Sequence, residues 1–290
     1  MTVTWVNGQI IDDIPALVGP HDPGLLVGDG LFETIAVYDG LPYALDAHLE
    51  RLERSARVLD LLGYERDALE RGIEQALTAW MQAGLGRMRV TIWRSASELG
   101  LFPSQSTISC AVSVGPGRGP LLGETNPEGA VVATSAFVRN ERSAITGHKS
   151  TSYAENLYAL RAARMKGANE AIIYNTVGDL SEGATSNVFM EWDGELLTPA
   201  LPSGCLPGIT RHEVLQLAAR AGIPAREAQP GELTRERVAQ ALASGGSAAL
   251  LGTMRNLQHI ESWDDLSLAA GSLLCKLEQL LVDDMVRQVK

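Results

Sequence analysis

Lysine is scarce in this 290-residue chain: Lys149, Lys166, Lys276 and Lys290 are all it has, and arginine supplies the rest of the 24 basic side chains. Positive charge is therefore short as well. Against 35 acidic residues the formal net charge is −11, with a pI near 5.0. A polyanion or an anionic bilayer is repelled by such a surface, so neither nucleic acid nor membrane is expected as a partner; a local basic pocket for a small anion is still compatible. Long apolar runs are absent, none reaching the roughly 18 residues of a membrane-spanning helix. The opening MTVTWVNGQI has no basic segment followed by an apolar stretch, so no targeting segment is expected. The 3 cysteines, Cys110, Cys205 and Cys275, are far apart and form no CxxC pair, which argues against a disulfide framework or a bound metal and for a reducing, cytoplasmic setting. Repeats, charge blocks and low-complexity segments are missing too.

What is present is an ordinary globular composition, 45% hydrophobic, in a chain long enough for two domains. Thr2 to Val6 alternates like a strand and meets the hairpin turn Asn7-Gly8, with Gln9 to Ile11 returning. After the turn Asp22-Pro23-Gly24 comes LLVGDGLFET, Leu25 to Thr34, in which Gly28 and Gly30 suit tight turns or close approach of another backbone. A helix capped by Asp46 is expected from about Ala47 to Leu62, on the spacing of Leu49, Leu52, Ala56 and Leu59. Its polar face offers the pairs Glu50 with Arg54 and Glu53 with Arg57. Arg51 has no acidic neighbour at helical spacing and is open to an anion from elsewhere, or else is a solvated surface residue. A second helix is expected over 66–83, and strands near 88–94, 107–114, 130–138, 170–174, 188–192 and 247–251. The turn-rich stretch 115–129 reads as the domain boundary. Gly208, Ile209 and Thr210 open a helix that ends at Gly222; free N–H groups there attract phosphate, although a Pro-initiated helix with a Thr cap explains the same residues. The segment 272–289 reads as a packing helix.

Among the four lysines, Lys149 alone follows a Gly-His break and is followed by hydroxyls at Ser150, Thr151, Ser152 and Tyr153. A lysine that gives up its proton to attack a carbonyl needs such poorly solvating, non-acidic surroundings. An exposed loop lysine is the alternative. Further on, the expected strand Glu170 to Tyr174 leads through a turn into Leu180-Ser181-Glu182-Gly183-Ala184-Thr185-Ser186-Asn187.

The combination of HK with SYAEN, then SEGATSNVF, GDGLFET, the H-x-x-R-L of His48 to Leu52, LPGITR and the GTMR turn resembles the class IV aminotransferases, the fold-type-IV pyridoxal phosphate (PLP) enzymes. The motifs follow the family's order over nearly the whole chain. The resemblance implies an α+β, two-domain fold: a smaller N-terminal α/β domain over 1–116, a linker at 117–128, and a larger C-terminal, PLP-binding domain with a barrel-like sheet over 129–290. It also implies a homodimer. Lys149 is then the residue that carries PLP as a Schiff base and moves the substrate's α-proton. Tyr153 is placed on the ring oxygen, and Glu182 on the ring nitrogen, where a carboxylate keeps the electron sink protonated. Arg51, Gly208, Ile209, Thr210 and Thr253 are assigned to the phosphate. Thr34, Arg94, Met254 and Arg255 are the substrate-facing candidates, Arg94 being equally a strand-end surface residue. The substrates implied are a small amino acid and a 2-oxo acid. Phe32-Glu33-Thr34-Ile35-Ala36 departs from the F-E-G-I-R of branched-chain members, which counts against that subgroup; GDGxFET is shared by D-amino-acid transaminases, placed first, and 4-amino-4-deoxychorismate lyases. The R-x-H pair of typical D-amino-acid members is, however, missing from Trp93 to Phe102. The NERS, TSYAEN and SGCLPGITR segments resemble 4-amino-4-deoxychorismate lyase, the alternative; a branched-chain transaminase comes after it. A PLP carrier or interaction protein leaves Lys149 and Glu182 without a coupled role.

Overall fold

The computed structural model describes residues 2–11 and 18–289. Its chain forms two compact units, one of Met1–Leu122 with His148–Tyr153 and Gln288–Lys290, the other of Gly123–Gly147 with Ala154–Arg287. Lys290 lies outside the described residues.

In the first unit the elements are β1 (Val3–Val6), β2 (Gln9–Ile11), α1 (Pro23–Leu26), β3 (Gly30–Tyr38), β4 (Leu41–Pro42), α2 (Leu45–Val58), α3 (Arg66–Trp80), β5 (Leu85–Ala96) and β6 (Ser106–Pro116). The strands make one antiparallel sheet in the order β2-β1-β6-β5-β3-β4. Strand alternation sorts its two faces. One face carries Leu31, Ile35 and Val37 of β3 with Met88, Val90 and Ile92 of β5, and packs with Leu49, Leu52, Ile73 and Ala76 of α2 and α3 into the core. A Cβ on Gly72 would come within 2.6 Å of the Trp5 ring, so glycine is what lets α3 lie close on β1. The opposite face carries Phe32, Thr34, Arg89 and Thr91, with Phe32 opposite Thr91 and Thr34 opposite Arg89.

Several local expectations need correction. Helix α2 starts at Leu45, and Asp46 is not its cap: Ala44 holds that place in the left-handed conformation, with no side-chain cap, while Asp46 sits in the first turn. The helix ends at Val58 because Leu59 and Asp60 leave helical geometry, Asp60 with a φ of 53°. Glu53 pairs with Arg66 at 3.0 Å, across a helix junction that helical spacing does not register. Asp22-Pro23-Gly24 opens a single helical turn, proline filling a position whose N–H would be unused.

The second unit contains β7 (Ala130–Thr134), α4 (Ala154–Met165), β8 (Glu170–Tyr174), β9 (Leu180–Gly183), β10 (Asn187–Trp192), β11 (Glu195–Thr198), α5 (Ile209–Ala221), β12 (Ala225–Glu227), α6 (Arg235–Ala243), β13 (Ser247–Gly252), β14 (Asn256–Trp263), β15 (Leu266–Ser267) and α7 (Ser272–Val289). Strand β7 is shorter than the 130–138 expected. The sheet runs β12-β11-β10-β13-β14-β7-β8-β9, with β15 added on β14. Strand β9 is at the end of that order, yet only Ala184, Thr185 and Ser186 separate it from β10, five strand spacings away. Five spacings in a flat sheet are about 24 Å, beyond the roughly 14 Å that the linking residues can span. The sheet must therefore curl, and its apolar lining from Ile172, Leu180, Val188, Met190, Leu250 and Ile260 forms one core. Among the described residues no helix is long and apolar enough to cross a membrane.

Candidate active site

Lys149 belongs to the first unit, although most of its sequence neighbours do not. The segment 148–153 lies against β3: Phe32 N–H donates to the Lys149 carbonyl at 2.8 Å, Thr151 N–H to the Gly30 carbonyl at 2.9 Å, and Thr151 Oγ1 to the Gly28 carbonyl at 2.8 Å. This contact explains the glycines of GDG. A Cβ on Gly28 would meet Ser152 Oγ at 2.5 Å, and Gly28 has a φ of 68°; a Cβ on Gly30 would meet the Ile92 carbonyl oxygen at 2.7 Å. The hydroxyls after Lys149 are thus anchors for its loop.

The half-buried ammonium of Lys149 lies 4.8 Å from the centre of the Phe32 ring and 5.8 Å from that of Tyr153, the two rings meeting edge to face. Lys166 and Lys276 are exposed. Arg89 is half-buried against the same Phe32 ring, its guanidinium carbon 3.8 Å from the ring centre, and donates from Nε to Thr91 Oγ1 at 3.1 Å. Burial, then the neighbouring charge of Arg87, pulls the Arg89 pKa below its ordinary value. No carboxylate among the described residues pairs with it. The residue escapes sequence reasoning because a charge alternating with Met88 and Val90 reads as the wet side of a strand.

Behind the strand, on its core face, Glu33 is 1% exposed. A carboxylate there must be paired, and α2 supplies both partners one turn apart. Arg51 donates from Nε at 2.8 Å and from Nη2 at 2.6 Å, and His48 Nδ1 lies 2.8 Å away. Burial pushes the Glu33 carboxyl up, but the Arg51 charge and the hydrogen bonds from Arg51 and His48 outweigh it and hold it at about 2. His48 is shifted down, first by burial, and its Nε2 has no partner among the described residues. One turn further, Ser55 Oγ lies 3.0 Å from His148 Nδ1. Arg51, which has no acid at helical spacing, thus finds one on a neighbouring strand. Arg94 is also engaged, donating to Asp29 at 2.7 Å and to the Asp60 carbonyl at 2.7 Å. Thr34 is half-buried on the Arg89 side of β3.

In the second unit Glu182 lies on β9, 8% exposed, where its sequence alone reads as a turn. Arg139 Nη2 donates to one oxygen at 2.9 Å and the Leu206 N–H to the other at 2.8 Å. Helix α5 begins at Ile209 with Gly208 as N-cap, no side-chain cap and no acidic residue in its first turn; Thr210 is inside the helix, so it is not a cap. A Cβ on Gly208 would run into Asn187 Oδ1, whose side chain holds the Leu206 carbonyl at 2.9 Å. Thr253 and Met254 occupy the turn after β13, both half-buried. Arg255 donates to Glu170 at 3.1 Å, to Thr185 Oγ1 at 2.9 Å and to Gln258 at 2.9 Å.

Three of these features fit, in their chemistry, what PLP would ask of a site. Lys149 offers an amine among aromatic rings, for an aldehyde. The uncapped start of α5 offers N–H groups and a positive dipole end without competing acid, for a phosphate. Glu182 offers a buried carboxylate, for a protonated ring nitrogen.

The sequence pattern of the family described as "Amino-transferase class IV" matches residues 30–263. The aminodeoxychorismate lyase of Bacillus subtilis is 32% identical over 229 residues, 76% of this chain and 74% of that protein. The bifunctional aminodeoxychorismate lyase / D-amino acid transaminase of Mycobacterium tuberculosis is 30% identical over 234 residues, 76% of this chain and 79% of its own. Among solved structures, the branched-chain aminotransferase of Thermoproteus uzoniensis with norvaline superposes with a TM-score of 0.87 at 27% identity, covering 99% of this chain and 95% of that one.

Proposed function

Because this chain belongs to the class IV aminotransferase family, whose cofactor is PLP, we propose that it moves an amino group between a monocarboxylic D-amino acid and a 2-oxo acid. Bound PLP supplies an aldehyde for the amine and a ring that accepts the electron pair released at the substrate's Cα. Lys149 Nζ would hold the cofactor and, as the free amine, would carry the proton from the substrate's Cα. Glu182, set by Arg139 and the Leu206 N–H, keeps the ring nitrogen protonated; Tyr153 donates to the ring oxygen. Arg51, the N–H groups of Gly208, Ile209 and Thr210, and Thr253 bind the phosphate. Thr34 and the Met254 N–H face the substrate.

The observation that carries the substrate reading is Arg89. It is the half-buried cation lying against the same ring as Lys149 Nζ with no carboxylate partner among the described residues. Arg94 and Arg255 are each held by a carboxylate of their own. A substrate carboxylate docked on Arg89 leaves its amine toward Lys149. A dicarboxylate such as aminodeoxychorismate asks for a second such cation, which favours the transaminase. The D configuration rests on the departure of Phe32 to Ala36 from the branched-chain motif and on the bifunctional relative. The lyase is the second reading, favoured by the identity to the Bacillus subtilis protein.

Mixing the PLP-loaded protein with D-alanine and no acceptor separates the two. The spectrum is expected to pass from the pyridoxal to the pyridoxamine form with release of pyruvate, and added 2-oxo acid is expected to reverse it. If the spectrum is unmoved by D- and L-amino acids while aminodeoxychorismate yields p-aminobenzoate, the protein is a lyase.

A further inference from the structure

We infer that Arg255 is a positioning residue that acts through Glu170, coupling the turn that follows Glu182 to the turn that carries Thr253, and that it does not receive the substrate carboxylate. The inference rests on the reading of Glu182 and Thr253 as cofactor ligands.

Glu170 is the first residue of β8 and is 0% exposed. One of its oxygens accepts the Ala171 N–H at 3.0 Å. The other accepts Thr185 Oγ1 at 2.5 Å, Ser186 Oγ at 3.1 Å, Arg255 Nη2 at 3.1 Å and the Thr185 N–H at 3.3 Å. This single carboxylate therefore gathers the end of SEGATS and the end of GTMR. Gly183 is part of the same packing, since a Cβ there would run into Ser186 Oγ and lie 3.3 Å from Glu170 Cγ. The motif thus has two jobs: Glu182 is held on one side by Arg139, while Gly183, Thr185 and Ser186 close around Glu170.

Arg255 is the only formal cation that bonds to Glu170 among the described residues. Its side chain also donates from Nη2 to Thr185 Oγ1 and from Nη1 to Gln258, and its backbone N–H returns to the Gly252 carbonyl at 3.0 Å, closing the turn on which Thr253 sits. A guanidinium held by three side-chain contacts, with its charge already matched by a buried carboxylate, is poorly placed to follow a mobile one. Removing it leaves a fully buried carboxylate without its counter-charge, and that strain falls on both turns at once.

The test is a double-mutant comparison of Arg255→Met in the wild-type and Glu170→Gln backgrounds, reading PLP dissociation constants on the apoprotein and KM for D-alanine at saturating PLP. Coupled neighbours predict that Arg255→Met weakens PLP binding about tenfold in the wild-type background and less than about threefold in the Glu170→Gln background. KM is expected to stay level throughout. Equal effects in both backgrounds, or a KM rise with an unchanged PLP constant, would overturn the inference. If Arg255→Met alone fails to fold, Glu170→Gln is compared with the double variant; a large KM rise between those two overturns it equally. Borohydride trapping on Lys149 in every variant checks the underlying cofactor reading separately.

Discussion

Lys149 and Arg89 share Phe32, and the ring does different work for each. For Lys149 it is a wall of the space around Nζ, which lies 4.8 Å from the ring centre. For Arg89 it is a flat platform that leaves the edge of the guanidinium available. Borohydride reduction of the loaded protein should place the PLP adduct on Lys149; Lys149→Ala should lose it and Lys166→Ala keep it, and an adduct on Lys166 or Lys276 would refute the assignment. Arg89→Leu removes a charge-assisted contact of about 1.5–3 kcal/mol, so KM for D-alanine should rise about 10- to 150-fold with the adduct intact. An unchanged KM would remove Arg89 from substrate binding. The sequence singles out Lys149 because lysines are few and its neighbours are unusual. It does not single out Arg89, whose significance depends on Phe32 diagonally across β3 and on a loop more than fifty residues away.

Helix α2 and strand β3 are held together by the Glu33–Arg51–His48 contact as well as by leucine packing. Removing the charge of Glu33 leaves Arg51 buried without its partner, which costs on the order of 3–5 kcal/mol. The pH dependence follows from the depressed pKa: the stabilisation is complete above the ordinary value of 4.5 and disappears as pH falls towards about 2. Thermal unfolding at neutral pH should show Glu33→Gln well below wild type, and the gap should narrow on acidification through that window. A gap that stays constant would mean that Glu33 acts through its shape alone. Apolar spacing had placed α2 correctly to within a few residues. Its buried polar face could not be read, since an arginine with no acid at i±3 or i±4 looks unpaired until the adjoining strand is in place.

At the scale of the whole molecule we propose a homodimer of chains whose two domains change over within 117–128, with 148–153 grouped with the N-terminal one. Sedimentation of the PLP-loaded protein should give twice the 31.0 kDa chain mass, and a fully active monomer would contradict this. Motif order and period-2 alternation determined, from the sequence by itself, the family, the cofactor and most of the strands, because these depend on neighbours a few residues apart. The curl of the larger sheet, the place of 148–153 beside β3, and the partners of Arg51, Arg89, Arg94 and Arg255 were decided only by tertiary structure. A buried charge is satisfied by whichever opposite charge the fold brings within about 3 Å, and sequence separation carries almost no information about which one that is.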